Sequence, residues 1–222
     1  MKEMLTCAAL FEKGHSVADD LIFSKEYPWQ VLPFIGDFIL EYGKTLSQDD
    51  YYSPSEGVWI AKSASISPLA SINGPCIIGD KTEVRQCAFI RGKALIGSGC
   101  VIGNSTELKN CIIFDGCQVP HFNYIGDSVL GYRSHMGAGS ITSNVKSDKS
   151  LVSVKAGDER IETGLKKMGA MLGDFVEVGC NSVLNPGTVI GHHSNVYPLS
   201  SVRGFVPPES IFKANDKIVK KI

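Results

Sequence analysis

The position in this 222-residue chain best set for chemistry is a histidine among turn-forming residues. It lies in the run Pro120-His121-Phe122-Asn123-Tyr124-Ile125-Gly126-Asp127. An imidazole titrates near neutrality, so His121 can act there as a general base. A second run follows, Gly137-Ala138-Gly139-Ser140-Ile141-Thr142-Ser143-Asn144, dense in small residues and ending on a carboxamide. The other histidines, His15, His135, His192 and His193, lack the spacing that would gather three imidazoles round one zinc, so neither a metal hydratase nor any metal site is expected. The cysteines at 7, 76, 87, 100, 111, 117 and 180 contain no CxxC pair and read as reduced thiols.

The elements that must position these residues are set by a six-residue rhythm. Ile60, Ile66, Ile72, Ile78, Val84, Ile90, Ile96, Ile102, Leu108 and Phe114 stand at one phase. Four residues after each of the first eight comes a small or compact side chain: Ala64, Ala70, Cys76, Thr82, Ala88, Ala94, Cys100 and Thr106. Two apolar phases in six residues suit neither a helix nor a flat strand. They suit a chain coiling round a triangular prism, one hexapeptide per face and roughly eighteen residues per coil, stacked about 4.8 Å apart. Gly79-Asp80-Lys81 and Gly97-Ser98-Gly99 supply turns between faces.

The rhythm slips after Phe114, where the in-phase position is Pro120, and resumes at Tyr124, Leu130 and Met136. It breaks again over residues 143–171, a stretch rich in Lys, Asp, Glu and Ser, then returns at Leu172, Val178, Leu184, Ile190, Val196 and Val202. The expected organisation is a small α-helical N-terminal cap over 1–56, a mainly β, parallel β-helix over 57–206, and a basic tail over 207–222. Within the cap, Leu5 to Leu21 and Trp29 to Leu46 carry helical spacing. Pro33 suits a helix start, and Leu32, Ile35, Phe38, Ile39 and Tyr42 form one stripe. Such a cap would cover the open first coil.

Composition excludes some classes. With 22 Lys plus Arg against 23 Asp plus Glu the net charge is −1, which gives no general attraction to nucleic acid or anionic membrane. No signal peptide or membrane-length apolar run is present, and a cytoplasmic location is expected.

From about Ile78 to Val202 the chain resembles the acyltransferase-type left-handed β-helix of bacterial and archaeal sugar-1-phosphate nucleotidylyltransferases. It is similar in particular to the C-terminal domain of bifunctional N-acetylglucosamine-1-phosphate uridyltransferase/glucosamine-1-phosphate acetyltransferases. The two runs above and Gly164-Leu165-Lys166-Lys167-Met168-Gly169-Ala170-Met171-Leu172-Gly173-Asp174 carry the resemblance. It implies a left-handed coil and acyl transfer from acetyl-CoA or another acyl-CoA to an amino sugar phosphate or sugar nucleotide. His121 falls on the family's catalytic base. Tyr124, Arg91 and Lys109 match contacts to the sugar phosphate, and Asn144 a substrate-binding position. Ala138, beside Gly139, matches a position whose backbone faces the acyl donor.

The chain departs from the family's pattern at four of these places. Asn123 replaces a threonine and His135 an asparagine on the substrate side; Cys180 replaces a serine and Pro198 an alanine on the donor side. Acceptor and donor are therefore open to differ from the family's own. The family's Gly-rich phosphate loop is missing from the first 55 residues, so uridylyl transfer is not expected from this chain, although a separate nucleotidyltransferase chain could supply it. A non-catalytic, regulatory sugar-nucleotide-binding β-helix is the alternative reading. In the family, excursion loops reach over a neighbouring subunit's site, which would bring Lys146, Lys149 or Lys155 to a phosphate. A prism's long flat faces and the resemblance together make a homotrimer with sites between subunits the expected assembly.

Overall fold

A computed structural model of the chain describes residues 1–213 and 217–221. The chain winds into a left-handed parallel β-solenoid of about nine turns; the six-residue rhythm accounts for the coil, and the left hand is the one implied by the family resemblance. Three faces follow in order. The first begins with the strands Val58–Ala61, Cys76–Ile78 and Ala94–Ile96; the second with Ser65–Ile66, Glu83–Val84 and Val101–Asn104; the third with Ser71–Ile72 and Phe89–Ile90.

On the first face, successive partners in register are Ile60, Ile78, Ile96, Ile113, Leu130, Leu172, Ile190 and Val206, which point to the axis and are buried. Burying each such side chain contributes about 1.5–3 kcal/mol. The small residues fill the corners, and their polar atoms close backbone gaps. Thr82 Oγ1 donates to the Gly97 carbonyl at 2.7 Å and accepts from the Cys100 amide at 3.0 Å.

The slip is finer than the sequence rhythm suggested. Two successive coils each lose one residue at the corner between the third and first faces. Leu108 and Ile113 are five residues apart, as are Ile125 and Leu130, where Ile90 and Ile96 are six. Strands Glu107–Ile113 and Tyr124–Leu130 consequently run unbroken round this corner, through Asn110 and Asp127 at φ 49°. The inward residues are therefore Ile113, Val119 and Ile125, not Phe114, Pro120 and Tyr124. Phe114 stands where other coils have Gly97 or Gly131. It is buried because Phe11 packs on it, with ring centroids 4.9 Å apart.

The N-terminal residues also differ from expectation. They form short pieces: 3-10 turns at Lys2–Leu5 and Pro28–Phe34, and helices at Cys7–Leu10, Asp19–Phe23 and Ile35–Gly43. No helix spans Leu5 to Leu21, because Phe11 is already extended (φ −130°, ψ 144°) and a turn at Gly14 follows. Pro33 lies inside the second 3-10 turn rather than at a helix start, whereas Leu32, Ile35 and Ile39 of the stripe are buried as expected.

This segment does not sit on the first coil; it lies along the first face, against Cys76–Ile78, Ala94–Ile96, Glu107–Ile113 and Tyr124–Leu130. The cause is legible in the outward row of that face. Ile77, Leu95, Ile112, Val129, Met171, Val189 and Phe205 precede the inward residues and would stand bare in water without a cover. The stretch expected as a loop supplies the rest of the cover, through the hairpin of Ser153–Ala156 and Glu159–Glu162 with Val152, Val154 and Ala156 buried.

Leu10 to His15 then dock at the corner between the first and second faces. Asp174 accepts from the amides of Glu12 and Tyr132, both at 2.7 Å, and His15 stacks on Tyr132 at 3.7 Å. Burial pushes the Asp174 and Asp115 carboxyls up from their ordinary range.

Antiparallel strands close the ends. Tyr51–Tyr52 pairs with Val58–Ala61, and the expected tail instead folds back as Lys217–Lys220 on Ser210–Lys213. Residues 214–216 and 222 of that tail lie outside the described residues.

Candidate functional site

Most corners of the prism carry one residue in the left-handed region, and the corner between the second and third faces stacks them in a ladder. The Phe122 amide donates to the Asn104 carbonyl, Gly139 to His121, Asn181 to Ala138 and Leu199 to Cys180, at 2.8–2.9 Å. His121, Ala138, Cys180 and Pro198 therefore stand above one another on successive coils. Their column spans three steps, about 14 Å.

His121 is exposed, and among the described residues its ring makes no hydrogen bond. Its backbone is fixed, however: the His121 amide donates to Asn123 Oδ1 at 3.0 Å. The Asn123 Nδ2 donates inward to the carbonyls of Gly137 (2.8 Å) and Ser140 (3.0 Å), so this buried carboxamide holds the turn that presents the imidazole. Beside His121, Phe122 is 64% exposed at φ 52°, and lower down Leu199 is 80% exposed at φ 59°. Bulky residues in that region cost about 1 kcal/mol each and gain nothing here by burial.

Across the third face, at the two short corners, lies a polar cluster. Asp127 is 4% exposed and accepts from Lys109 Nζ (3.3 Å) and Asn110 Nδ2 (2.9 Å), and from Asn144 Nδ2. Asn144 Nδ2 also donates to Tyr124 Oη at 3.1 Å, which leaves the phenol's own proton free to donate outward. Burial raises the Tyr124 phenol above its ordinary range, and the Asn144 bond opposes that shift. Arg91, one coil from Lys109, pairs with Glu107 at 2.6 Å, which lifts its guanidinium further above neutrality.

Backbone bonds from the Met168 amide to Asn144 and from Gly169 to Asp127 tie both ends of the 143–169 excursion to this cluster. Within the excursion, Lys146 turns to Ser150 and lies 3.7 Å from Asp148, while Lys155 belongs to the hairpin on the first face. Lys149, at φ 56°, is exposed.

His135 joins neither Tyr124 nor Asn144. Its Nδ1 meets Glu177 Oε2 at 2.8 Å on the second face, in a groove of about 450 Å³ that also has Cys180, Asn195, Tyr197 and Pro198 in its wall. Asn195 Oδ1 is enclosed there without a hydrogen-bond partner. Sequence reasoning missed Glu107, Asn110, Asp127 and Glu177. A signal existed for one of them, since Glu107 and the expected Lys109 flank the inward Leu108 and so must share one outward side.

Buried Cys7, Cys76, Cys100, Cys111 and Cys117 have thiols raised by desolvation, to about 12 for Cys7, Cys111 and Cys117, whereas Cys87 and Cys180 are exposed. Among the described residues no helix is long and apolar enough to cross a membrane, and no three His, Cys, Asp or Glu are placed to hold a metal ion.

Coil, column and cluster define a left-handed hexapeptide-repeat β-solenoid with a candidate site along the two edges of one face. More particularly, the chain belongs to the GMPPB C-terminal domain family, whose pattern matches residues 72–198. It is 35% identical over 102 residues to a bifunctional sugar-1-phosphate nucleotidylyltransferase/acetyltransferase of Sulfurisphaera tokodaii, covering 46% of this chain and 25% of that protein. It is 28% identical over 159 residues to the bifunctional protein GlmU of Methanococcus vannielii, covering 71% of this chain and 34% of that protein. The chain thus spans about a quarter to a third of the length of these relatives. Among solved structures, a hexapeptide transferase family protein from Anaplasma phagocytophilum aligns with a TM-score of 0.46 at 16% identity, over 75% of this chain and 81% of that one.

Proposed function

We propose that this chain transfers an acyl group, acetyl in the simplest case, from acyl-CoA to an amino sugar or sugar nucleotide, with His121 as general base. The observation that carries the reading is the solvent-open imidazole at the head of a column whose lower members leave room for a long ligand. The donor's arm lies along Ala138, Gly139, Cys180 and Pro198, with its thioester beside His121.

The acceptor's amine approaches from the third face, where Tyr124 lies three residues, about 10 Å of extended chain, from His121. The amine nitrogen attacks the thioester carbonyl carbon while His121 takes a proton from that nitrogen. The tetrahedral adduct then collapses, the C–S bond breaks, and the CoA thiolate leaves with the proton that the imidazolium returns.

Resemblance in sequence to nucleotidylyltransferase/acetyltransferases supports the sugar side of the reading. A homotrimer fits it too: the first face is covered by the chain itself, so partner copies would meet the second and third faces.

The test is CoA release from acetyl-CoA, followed by chromatography, across amino sugars, their phosphates and sugar nucleotides. Release that His121→Ala abolishes without lowering the melting temperature is the expected result, and an inert wild-type protein across the panel overturns it. Ligand binding without release would instead establish the non-catalytic, regulatory reading.

A further inference from the structure

Two of the described phenylalanines stand at corner positions in the left-handed region, and only one of them is packed. Phe175, at φ 57°, has the His193 ring stacked on it with centroids 4.6 Å apart and Tyr132 edge-on at 5.3 Å. Phe122, at φ 52°, is 64% exposed, and among the described residues neither an aromatic ring nor a cation stacks on it. Its backbone is nevertheless fixed from both sides. The preceding coil holds the turn through the bonds from the Phe122 amide to the Asn104 carbonyl (2.9 Å) and from the Glu107 amide to the Asn123 carbonyl (2.8 Å). The following coil holds it through the Gly139 amide on the His121 carbonyl and through both Asn123 Nδ2 bonds. A conformation that a bulky side chain disfavours, over-determined by its surroundings and giving no burial in return, marks a side chain with a task.

The task follows from position. Strand Gln118–His121 ends the second face and strand Tyr124–Leu130 opens the third, so Phe122 lies on the way from the imidazole to the Tyr124 phenol and Asn144. The donor's arm runs down the column from His121 and does not cross Phe122. An acceptor with its amine at His121 and its other groups at Tyr124 must cross it. The same corner position carries small Ser105 one coil earlier and Gly139 one coil later, which leaves the ring unshaded, and Ser105 and Tyr124 bring hydroxyls to its margins. A pyranose is divided in the same way, with C–H bonds gathered on a ring face and hydroxyls round the rim, so an aromatic ring meets the one and such groups the other.

We infer that Phe122 is the platform on which the acceptor's pyranose ring lies, and so a residue that sets acceptor specificity. The stack covers the exposed ring and brings the sugar's amine to the imidazole, whatever group the sugar carries at its far end. The inference deepens the acyl-transfer reading and rests on it for the path of the acceptor.

The test compares Phe122→Ala and Phe122→Tyr with the wild type, using acetyl-CoA and the amino sugar of the panel above with the highest kcat/KM. Losing a stack that buries most of a phenyl ring is expected to raise the sugar KM of Phe122→Ala about ten- to a hundredfold. Its kcat and its KM for acetyl-CoA should change by less than about threefold, and Phe122→Tyr, which keeps the ring, should stay within about threefold throughout. A sugar KM that rises less than about tenfold in Phe122→Ala, or an equal rise for acetyl-CoA, overturns the inference and leaves acyl transfer standing. Phe122→Ala should also melt within about 2 °C of the wild type and scatter light as the same oligomer. A larger fall, or a changed oligomer, would mean that the ring packs on protein, and overturns it as well. Where no sugar of the panel releases CoA, calorimetric binding of glucosamine 1-phosphate and UDP-N-acetylglucosamine replaces the rates. Binding weakened about tenfold or more in Phe122→Ala and kept in Phe122→Tyr upholds the platform while the catalytic reading fails. Equal binding to wild type and Phe122→Ala, or binding of neither sugar, overturns it.

Discussion

Two corners of the same prism use one backbone device to opposite ends. Between the first and second faces, the turns carry Arg133, Phe175 and His193 in the left-handed region, and the chain's own Leu10–His15 stretch docks beside them, with Asp174 and Asp115 drawn into the contact. Between the second and third faces, Phe122, Gly139, Asn181 and Leu199 take the same conformation, and no described segment of the chain covers them. The sealed corner consumes its polar groups in folding. The open one keeps an unpaired imidazole and bulky apolar side chains in water, a cost that folding alone does not explain.

That contrast can be broken in order of effect. His121→Ala at the open corner is expected to slow acyl transfer by about 10²–10⁴-fold with an unchanged melting temperature; a loss of less than about tenfold would put the base elsewhere. On the sealed side, Trp29, 1% exposed in the segment that covers the first face, gives the complementary result. Trp29→Ala is expected to cost about 3–5 kcal/mol in denaturant unfolding, while kcat of the protein that remains folded is unchanged.

The sealed corner should also respond to pH. Desolvation raises the Asp174 carboxyl in the folded chain, so the proton stays on more readily there than in the unfolded chain. Its contribution is full below the ordinary carboxylate value and is lost as pH rises through the raised one. Melting temperatures measured across the acidic range should fall less steeply with rising pH in Asp174→Asn than in the wild type, and parallel curves would refute the assignment.

Thiol chemistry sharpens the open side. Native protein should react with a maleimide at Cys87 and Cys180 alone, because the other five thiols are buried and held protonated. Saturating acetyl-CoA should slow labelling at Cys180 but not at Cys87, read by peptide mass. The smallest effect is Leu199→Asn, which relieves the left-handed strain and should raise stability by up to about 1 kcal/mol while weakening donor binding.

The sequence made the axis legible because inward positions such as Ile78, Ile96 and Val178 must be large and recur every six residues. It hid the outward row on the first face, since Ile77, Leu95 and Ile112 sit beside inward residues and read as extra core. With that row unrecognised, the N-terminal helices had no surface to lie on except the first coil, and residues 153–162 had no reason to be ordered. The site was half visible. His121 and Asn144 stand in recognisable runs, but loss of a single residue at Asn110 and again at Asp127 leaves no mark in a rhythm already broken by Pro120. Only the register of paired strands shows that these two shortened corners bring Lys109, Asn110 and Asp127 together.

The reversed strands at the two ends bear on how copies of this molecule meet. A parallel coil with bare ends would offer each newcomer the same pattern of amides and carbonyls that its own next turn presents, and so could extend without limit. Tyr51–Tyr52 and Lys217–Lys220 run against the direction of the coil, and the second of these begins and ends on lysine. On each of these two faces an arriving copy would meet a mismatched strand edge, flanked at the C-terminal end by lysines, which disfavours pairing along the axis there.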